Sequence, residues 1–220
     1  MIFNQYRRVL SLLILLAGAV GLMVQGQVTY GIFESRGQGL GATVFKLASY
    51  FTILTNVLLT VAHGVLALAP RSRVAEWLAR PWVQGGLLLH IGIVGAVYVL
   101  VLAALWDPQG SQWWVDHLLH RVTPLLQAGY WLTMVPKARL PWSTPVVWLV
   151  YPALYLPWAL IRGAATGDFP YPFIDAAALG WPRALINSSA MTLIFLAAGL
   201  LIVAASRWMS GPNVTTARGR

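Results

Sequence analysis

The chain has 220 residues, 58% of them hydrophobic and only 10% charged, where a soluble domain carries about 25% charged residues. With a mean hydropathy of +0.68, the composition excludes an ordinary soluble domain, and the wealth of apolar and aromatic residues excludes a disordered chain. No cysteine is present, which removes disulfides, thiolate metal sites and cysteine nucleophiles, and the formal charge of +9 needs a partner that its placement along the chain identifies.

A membrane-spanning helix needs about 20 mostly apolar residues. Six stretches qualify: Val9–Tyr30, Thr43–Ala69, Trp82–Trp106, Gln112–Val135, Trp142–Ile161 and Ala184–Trp208. They predict an all-α polytopic membrane protein, one transmembrane domain over residues 1–220. The first stretch follows Arg7 and Arg8, as a signal peptide would, but its length and the even count of six spans favour a retained helix. The fourth is the least apolar and the richest in polar groups. With six spans, Arg7, Arg8, Arg71, Arg73, Arg80, Lys137, Arg139, Arg207, Arg218 and Arg220 share one side, and Arg36, Lys46, Arg162 and Arg183 the other, with Arg121 inside a span. Lys and Arg gather on cytoplasmic loops. Both termini are therefore expected in the cytoplasm, in a multi-pass protein of the cell (inner) membrane, with the basic charge facing anionic lipid and not nucleic acid. Trp113, Trp114, Trp131, Trp142, Trp181 and Trp208 fall near the span ends, as aromatic anchors do. The tail after Gly211 is short and polar and is expected to be mobile.

Ionisable groups within a membrane are costly and mark functional candidates. On the second span Thr52, Asn56 and His63 are offset by 4 and 7 residues; on the fourth Asp116, His120, Thr123 and Gln127 by 4, 3 and 4; on the fifth Tyr151, Tyr155, Trp158 and Arg162 by 4, 3 and 4. Each set occupies one helix face. Interhelical hydrogen bonding alone accounts for such stripes at Thr123, Gln127 and Asn187; it is a weaker account where an acid, a histidine and an arginine share one depth. Thr52 and His120 each lie 8 residues below their points of entry near residues 44 and 112, about 12 Å down from the same side at 1.5 Å per residue, and Arg162 ends the fifth span on that side.

A threonine hydroxyl becomes a nucleophile when a base takes its proton. His120 is the candidate base, and Asp116, one turn earlier, the candidate orienting group. Asn56 and Arg162 are the candidate donors to developing negative charge. Pro124 cannot donate to the His120 carbonyl, so the fourth helix should kink or open there. His117 and His120 form an HxxH pair, but the two side chains diverge by about 60° on a helix and lack the third ligand a metal site needs. Only His63 and His90 could be axial haem ligands, and they read more simply as buried hydrogen-bonding residues. No cofactor and no metal are expected.

Three segments resemble a known family. SYFTILTNVLL (Ser49–Leu59) is similar to the threonine motif, and DHLLHRVTPLL (Asp116–Leu126) to the histidine motif, of the androgen-induced and androgen-dependent membrane hydrolases; LIRGAATGDFPYPFID (Leu160–Asp175) is similar to their bacterial six-span relatives. The resemblance implies a hydrolase of carboxylic ester bonds in lipids, since the animal members hydrolyse fatty-acid esters of hydroxy fatty acids. It places the family threonine at Thr52 and the family histidine at His120, with Asp116 where animal members tend to have Asn.

The expectation is thus an intramembrane lipid esterase with Thr52, His120 and Asp116 as catalytic residues. Asn56, Arg162, Tyr155, Phe51, His117 and Phe173 are the candidates for substrate or oxyanion contacts. Its partners are a membrane lipid substrate and the bilayer. A lipid- or small-ligand-binding receptor, or a proton-coupled transporter using Asp116, His120 and Arg162, is the alternative. A cavity closed towards the cytoplasm favours enzyme or receptor; a continuous polar path favours transport.

Overall fold

The structure is a computed structural model and describes residues 2–105 and 107–211. The predicted tail, with Arg218 and Arg220, and the Trp106 boundary of the third span lie outside the described residues. Every described element is helical.

Helix α1 runs Ile2–Glu34, longer at both ends than the predicted span. The predicted second span is in fact two helices, α2 (Leu40–Leu47) and α3 (Phe51–Leu68). Between them Ser49 folds its hydroxyl back onto the Lys46 carbonyl and Tyr50 turns extended, with φ −95° and ψ 124°. The break moves Thr52 from two turns inside a helix to the first turn of α3. It also frees backbone groups that have no water to bond with inside an apolar layer. Side chains take them: Trp158 Nε1 donates to the Ala48 carbonyl at 2.9 Å, Tyr155 Oη donates to the Ser49 carbonyl at 2.8 Å, and the Thr52 N–H donates to Tyr171 Oη at 3.2 Å.

After the short α4 (Arg73–Leu78), α5 (Pro81–Val97) continues into a π turn, Tyr98–Leu102. The fourth rod is unbroken but changes pitch: α6 (Ser111–His117), a π turn (Leu118–Val122) and α7 (Thr123–Met134). Pro124 opens the helix as expected, and the widened turn sits immediately before it. Gly95 of α5 makes this crossing possible: a Cβ there would stand 3.1 Å from both the His120 carbonyl oxygen and the Pro124 ring. Helices α8 (Thr144–Trp148) and α9 (Val150–Thr166) follow, ended by Gly167 in the left-handed conformation at φ 70°. A 3-10 turn (Pro172–Ile174) and α10 (Ala176–Leu179) lead to α11 (Trp181–Met209).

Among the described residues, five helical stretches are long and apolar enough to cross a membrane: Asn4–Glu34, Phe51–Leu68, Pro81–Leu102, Thr144–Thr166 and Trp181–Met209. The rod Ser111–Met134, expected as a sixth, is not among them, because Asp116, Arg121 and several uncharged polar residues lower its hydropathy. The packing is inverted relative to a water-soluble protein. Leu100 (80% exposed), Leu125, Leu154, Leu201 and Trp208 (85%) point outward, while Ser11, Asn56, His63, Gln84 and Gln127 are fully buried. Trp131, expected at an interface, is instead buried beneath the Lys137 ammonium, 4.4 Å above its ring.

Helix α1 packs on α3 and α7, α5 on α7, α3 and α11, and α11 also on α8. The start of α1 meets the ends of α3 and α7, where Arg8 Nε donates to the Ala67 carbonyl at 2.9 Å and Arg7 Nε to Tyr130 Oη at 3.1 Å. The end of α11 meets the segment after α7, where Arg207 donates to the Leu140 carbonyl at 2.8 Å. Both ends of the described chain therefore lie at one end of the bundle. The break after α2, both π turns and the 167–175 segment lie at the other.

Candidate functional site

At the end remote from the termini the helices enclose a cavity of about 680 Å³. Thr52, Asp116 and His120 line it, joined by Tyr98, Gln112 and Tyr171. The first members of the stripes predicted on the second and fourth spans thus meet on one space.

One wall is an acid–imidazole cluster. The His120 Nδ1–H donates to the Asp116 backbone carbonyl at 3.2 Å, with the Asp116 carboxylate 3.7 Å from the same nitrogen. The carboxylate accepts from Tyr98 Oη at 3.2 Å and from Gln112 Nε2 at 3.2 Å. Gln112 also donates to Gln25 Oε1 at 3.1 Å, and Gln25 Nε2 donates to Thr29 Oγ1 at 3.0 Å. The Tyr98 ring stacks on the imidazole with centroids 4.1 Å apart at 16°. Tyr98 begins one π turn and His120 lies inside the other, so the widened turns bring ring and imidazole face to face; such turns concentrate at functional sites.

The opposite wall carries Thr52, itself largely buried at 8% exposure. Its Oγ1 lies 3.4 Å from Tyr171 Oη, which also accepts the Thr52 N–H. No hydrogen bond joins Thr52 to His120 among the described residues; the two face one cavity across a gap. Burial raises the Tyr171 phenol above its ordinary range, so it stays protonated and able to donate. At the rim, Asp168 pairs with Lys46 at 2.5 Å and with Arg162 at 2.9 Å. Burial alone would raise the Asp168 carboxyl, but hydrogen bonds and charge from Lys46 and Arg162 outweigh it and hold the group below the usual carboxylate range.

Several predicted contacts fall elsewhere. Asn56 is sealed beneath the cavity: its amide nitrogen donates to the Thr52 carbonyl at 2.9 Å and the Leu119 carbonyl at 3.2 Å, and its oxygen accepts from Thr123 Oγ1 at 2.8 Å. With both ends of the amide engaged, it ties α3 to the fourth rod instead of facing an oxyanion. The Arg162 guanidinium grips the backbone carbonyl and carboxylate of Asp168, so Asp168 occupies the position expected for a lipid carboxylate. His117 turns away, stacked on Trp113 and bonded to the Trp113 carbonyl at 2.8 Å and Arg121 at 2.5 Å. Phe51, Tyr155 and Phe173 line an adjoining apolar pocket of about 90 Å³ that also touches Thr52 and Tyr171. His63 and His90 are hydrogen-bonded core residues, to Ser11 and Gln127 and to the Trp148 carbonyl respectively. Among the described residues no three His, Asp or Glu side chains stand close enough to hold a metal ion.

Spacing alone missed Tyr98, Gln112 and Gln25. Tyr98 lies in a span nearly free of polar side chains, where no stripe marks it; Gln112 stands at i−4 from Asp116, a signal that was available. Comparison with known proteins returns no match: no family model, no curated protein and no solved structure is similar to the chain.

Proposed function

We propose that the chain is a six-span membrane protein acting as a lipid ester hydrolase, with the rod Ser111–Met134 as the sixth span. The basic loops on the termini's side support an orientation with both termini in the cytoplasm, in which the cavity opens in the extracytoplasmic half of the cell membrane. The observation that carries the reading is the meeting of Thr52, His120 and Asp116 on one cavity, with an apolar pocket beside the threonine. Thr52 Oγ1 attacks the ester carbonyl carbon while His120 Nε2 takes its proton. The tetrahedral intermediate collapses, the acyl–oxygen bond breaks, and His120 returns the proton to the leaving alkoxide. Water, deprotonated by the same imidazole, then releases the acid and frees Thr52. Asp116 holds the ring through Nδ1 and stabilises the imidazolium. The Tyr171 hydroxyl, already against Thr52, donates to the oxyanion in place of Asn56. A substrate bound across the gap has its carbonyl at Thr52 and its leaving oxygen towards His120; catalytic hydrogen bonds commonly tighten only in that complex.

The test is hydrolysis of a fatty-acid ester by purified protein. Thr52→Ala and His120→Ala are each expected to lower turnover about 10³-fold or more, and a fluorophosphonate probe is expected to label Thr52 in the unaltered protein only. Turnover surviving both substitutions overturns the mechanism. A ligand-binding receptor is the second reading, favoured by the absence of a Thr52–His120 hydrogen bond; saturable lipid binding with no turnover of any ester selects it. Transport is disfavoured by the floor beneath the cavity, where Asn56 and Thr123 are fully buried.

A further inference from the structure

Three hollows at the cavity-bearing end share walls. Thr52, Leu102 and Tyr171 line both the polar cavity and the narrow apolar pocket. Ile93, Val97, Phe173 and Met191 line both that pocket and a groove of about 300 Å³ between α5 and α11. The three hollows therefore adjoin in a row, from the Asp116–His120 wall, past the Thr52 hydroxyl, to the outer face of the bundle. Their chemistry changes in one direction. Charged and amide side chains surround the first compartment, and the third is apolar apart from Asn187. The Asn187 amide donates to the Phe173 carbonyl at 2.9 Å, which ties the 3-10 turn to α11. Phe173 in turn stacks on Tyr171, with centroids 5.2 Å apart at 7°. The Pro170–Ile174 segment is thus the partition between the compartments, presenting Tyr171 to the polar side and Phe173 to the apolar side. The groove's own walls, Leu100 at 80% exposure among them, face outward with the rest of the apolar belt, where the neighbouring phase is hydrocarbon.

We propose that this row of hollows is a binding site for a single linear acyl chain, which slides in from the bilayer between α5 and α11, threads past Phe173 and Met191, and sets its carbonyl at Thr52. The position of the carbonyl rests on the hydrolase reading; the site for the chain does not. The middle compartment, with a volume of about 90 Å³, is what selects a flexible polymethylene chain over a bulkier fused-ring body such as a sterol. Because the chain arrives from hydrocarbon, its fit along the channel and not its removal from water is what the site reads, and that fit converts chain length into specificity.

The experiment fills the groove from outside. Ala96 and Ala190 both line it and are both exposed, so Ala96→Trp and Ala190→Trp block the route without disturbing the core. In lipid nanodiscs, each variant is expected to lower turnover of p-nitrophenyl palmitate about tenfold or more, while p-nitrophenyl butyrate, which does not reach the groove, stays within about twofold. Equal effects on both esters, or none on either, overturn the proposal. Should the unaltered protein hydrolyse neither ester, the hydrolase reading fails, and the chain site is tested by photolysis of a diazirine-bearing palmitic acid. Labels concentrated on Ile93–Val101 and Asn187–Ile194, and lost in Ala190→Trp, support it. Labels spread evenly over the outward faces, as bulk bilayer contact alone would give, overturn it.

Discussion

Two histidines a few turns apart in the same bundle have opposite surroundings. His63 is fully buried. Its Nε2–H donates to Gln127 Oε1 at 2.7 Å, the Ser11 hydroxyl meets Nδ1 at 3.3 Å, and Tyr130 packs edge-on at 4.7 Å. Gln127 Nε2 donates to Gln84 Oε1 at 3.1 Å, and Gln84 Nε2 to the Leu78 carbonyl at 2.8 Å, so the cluster closes on itself. His120 is tied at one nitrogen only; its Nε2 makes no hydrogen bond among the described residues, and its ring borders an open cavity. Both clusters draw on α1, α3, α5 and the fourth rod. The difference lies in whether packing closes around the ring on every side. Near His63 small residues let the helices touch: Gly64 of α3 meets Leu15 of α1, and Gly85 and Gly86 of α5 lie against the Trp148 ring. At His120 the backbones also approach closely, with Gly95 of α5 against the His120 carbonyl, but on the ring's cavity side the π turns and the α2–α3 break leave space. Polar side chains between helices become a structural tie where packing closes around them and a site where space is left beside them.

The comparison breaks if the histidines behave alike. His120→Ala is expected to abolish ester turnover, about 10³-fold or more, while leaving the thermal midpoint in detergent nearly unchanged. His63→Ala is expected to do the reverse, lowering the midpoint while each folded molecule keeps its turnover. A loss of turnover in His63→Ala at full folding would join the two clusters into one functional path and revive the transport reading. Next in size is Tyr171→Phe, which removes the hydroxyl beside Thr52 without changing shape: kcat is expected to fall about 10²-fold with KM unchanged, and an unchanged kcat excludes Tyr171 from the oxyanion site.

Gln127→Leu sharpens the structural half. It removes the partner of His63 Nε2 and of Gln84 Oε1 and is expected to cost about 1–2 kcal/mol, the upper part of the range for interhelical hydrogen bonds in membranes, read as a lowered midpoint of unfolding. The smallest effect belongs to Asp168. Its folded pKa is depressed by Lys46 and Arg162, so its pairing contributes stability above the unfolded carboxylate value of about 3.9, and that contribution is lost as pH falls through the lower folded value. Asp168→Asn is expected to flatten this acid-side decline in the thermal midpoint; an unchanged pH profile shows that the rim pairing contributes nothing measurable.

The pattern of side chains along the chain was enough to establish an all-helical, membrane-compatible protein, because twenty-residue apolar runs have few other physical solutions. It also placed Thr52 and the Asp116–His120 pair at one end of the bundle, since offsets of 3 and 4 put residues on one helix face wherever the helix goes. Trp158 and Tyr155 were legible as part of a stripe, but not as groups that cap a break in another helix. The tertiary structure decided what periodicity cannot express. The backbone stops at 48–50 and widens at Tyr98–Leu102 and Leu118–Val122, local departures from 3.6-residue geometry that depend on which backbone groups find partners on neighbouring helices. Only those departures separate Asn56, closed into a hydrogen-bonded tie, from Thr52 one turn away, which faces open space.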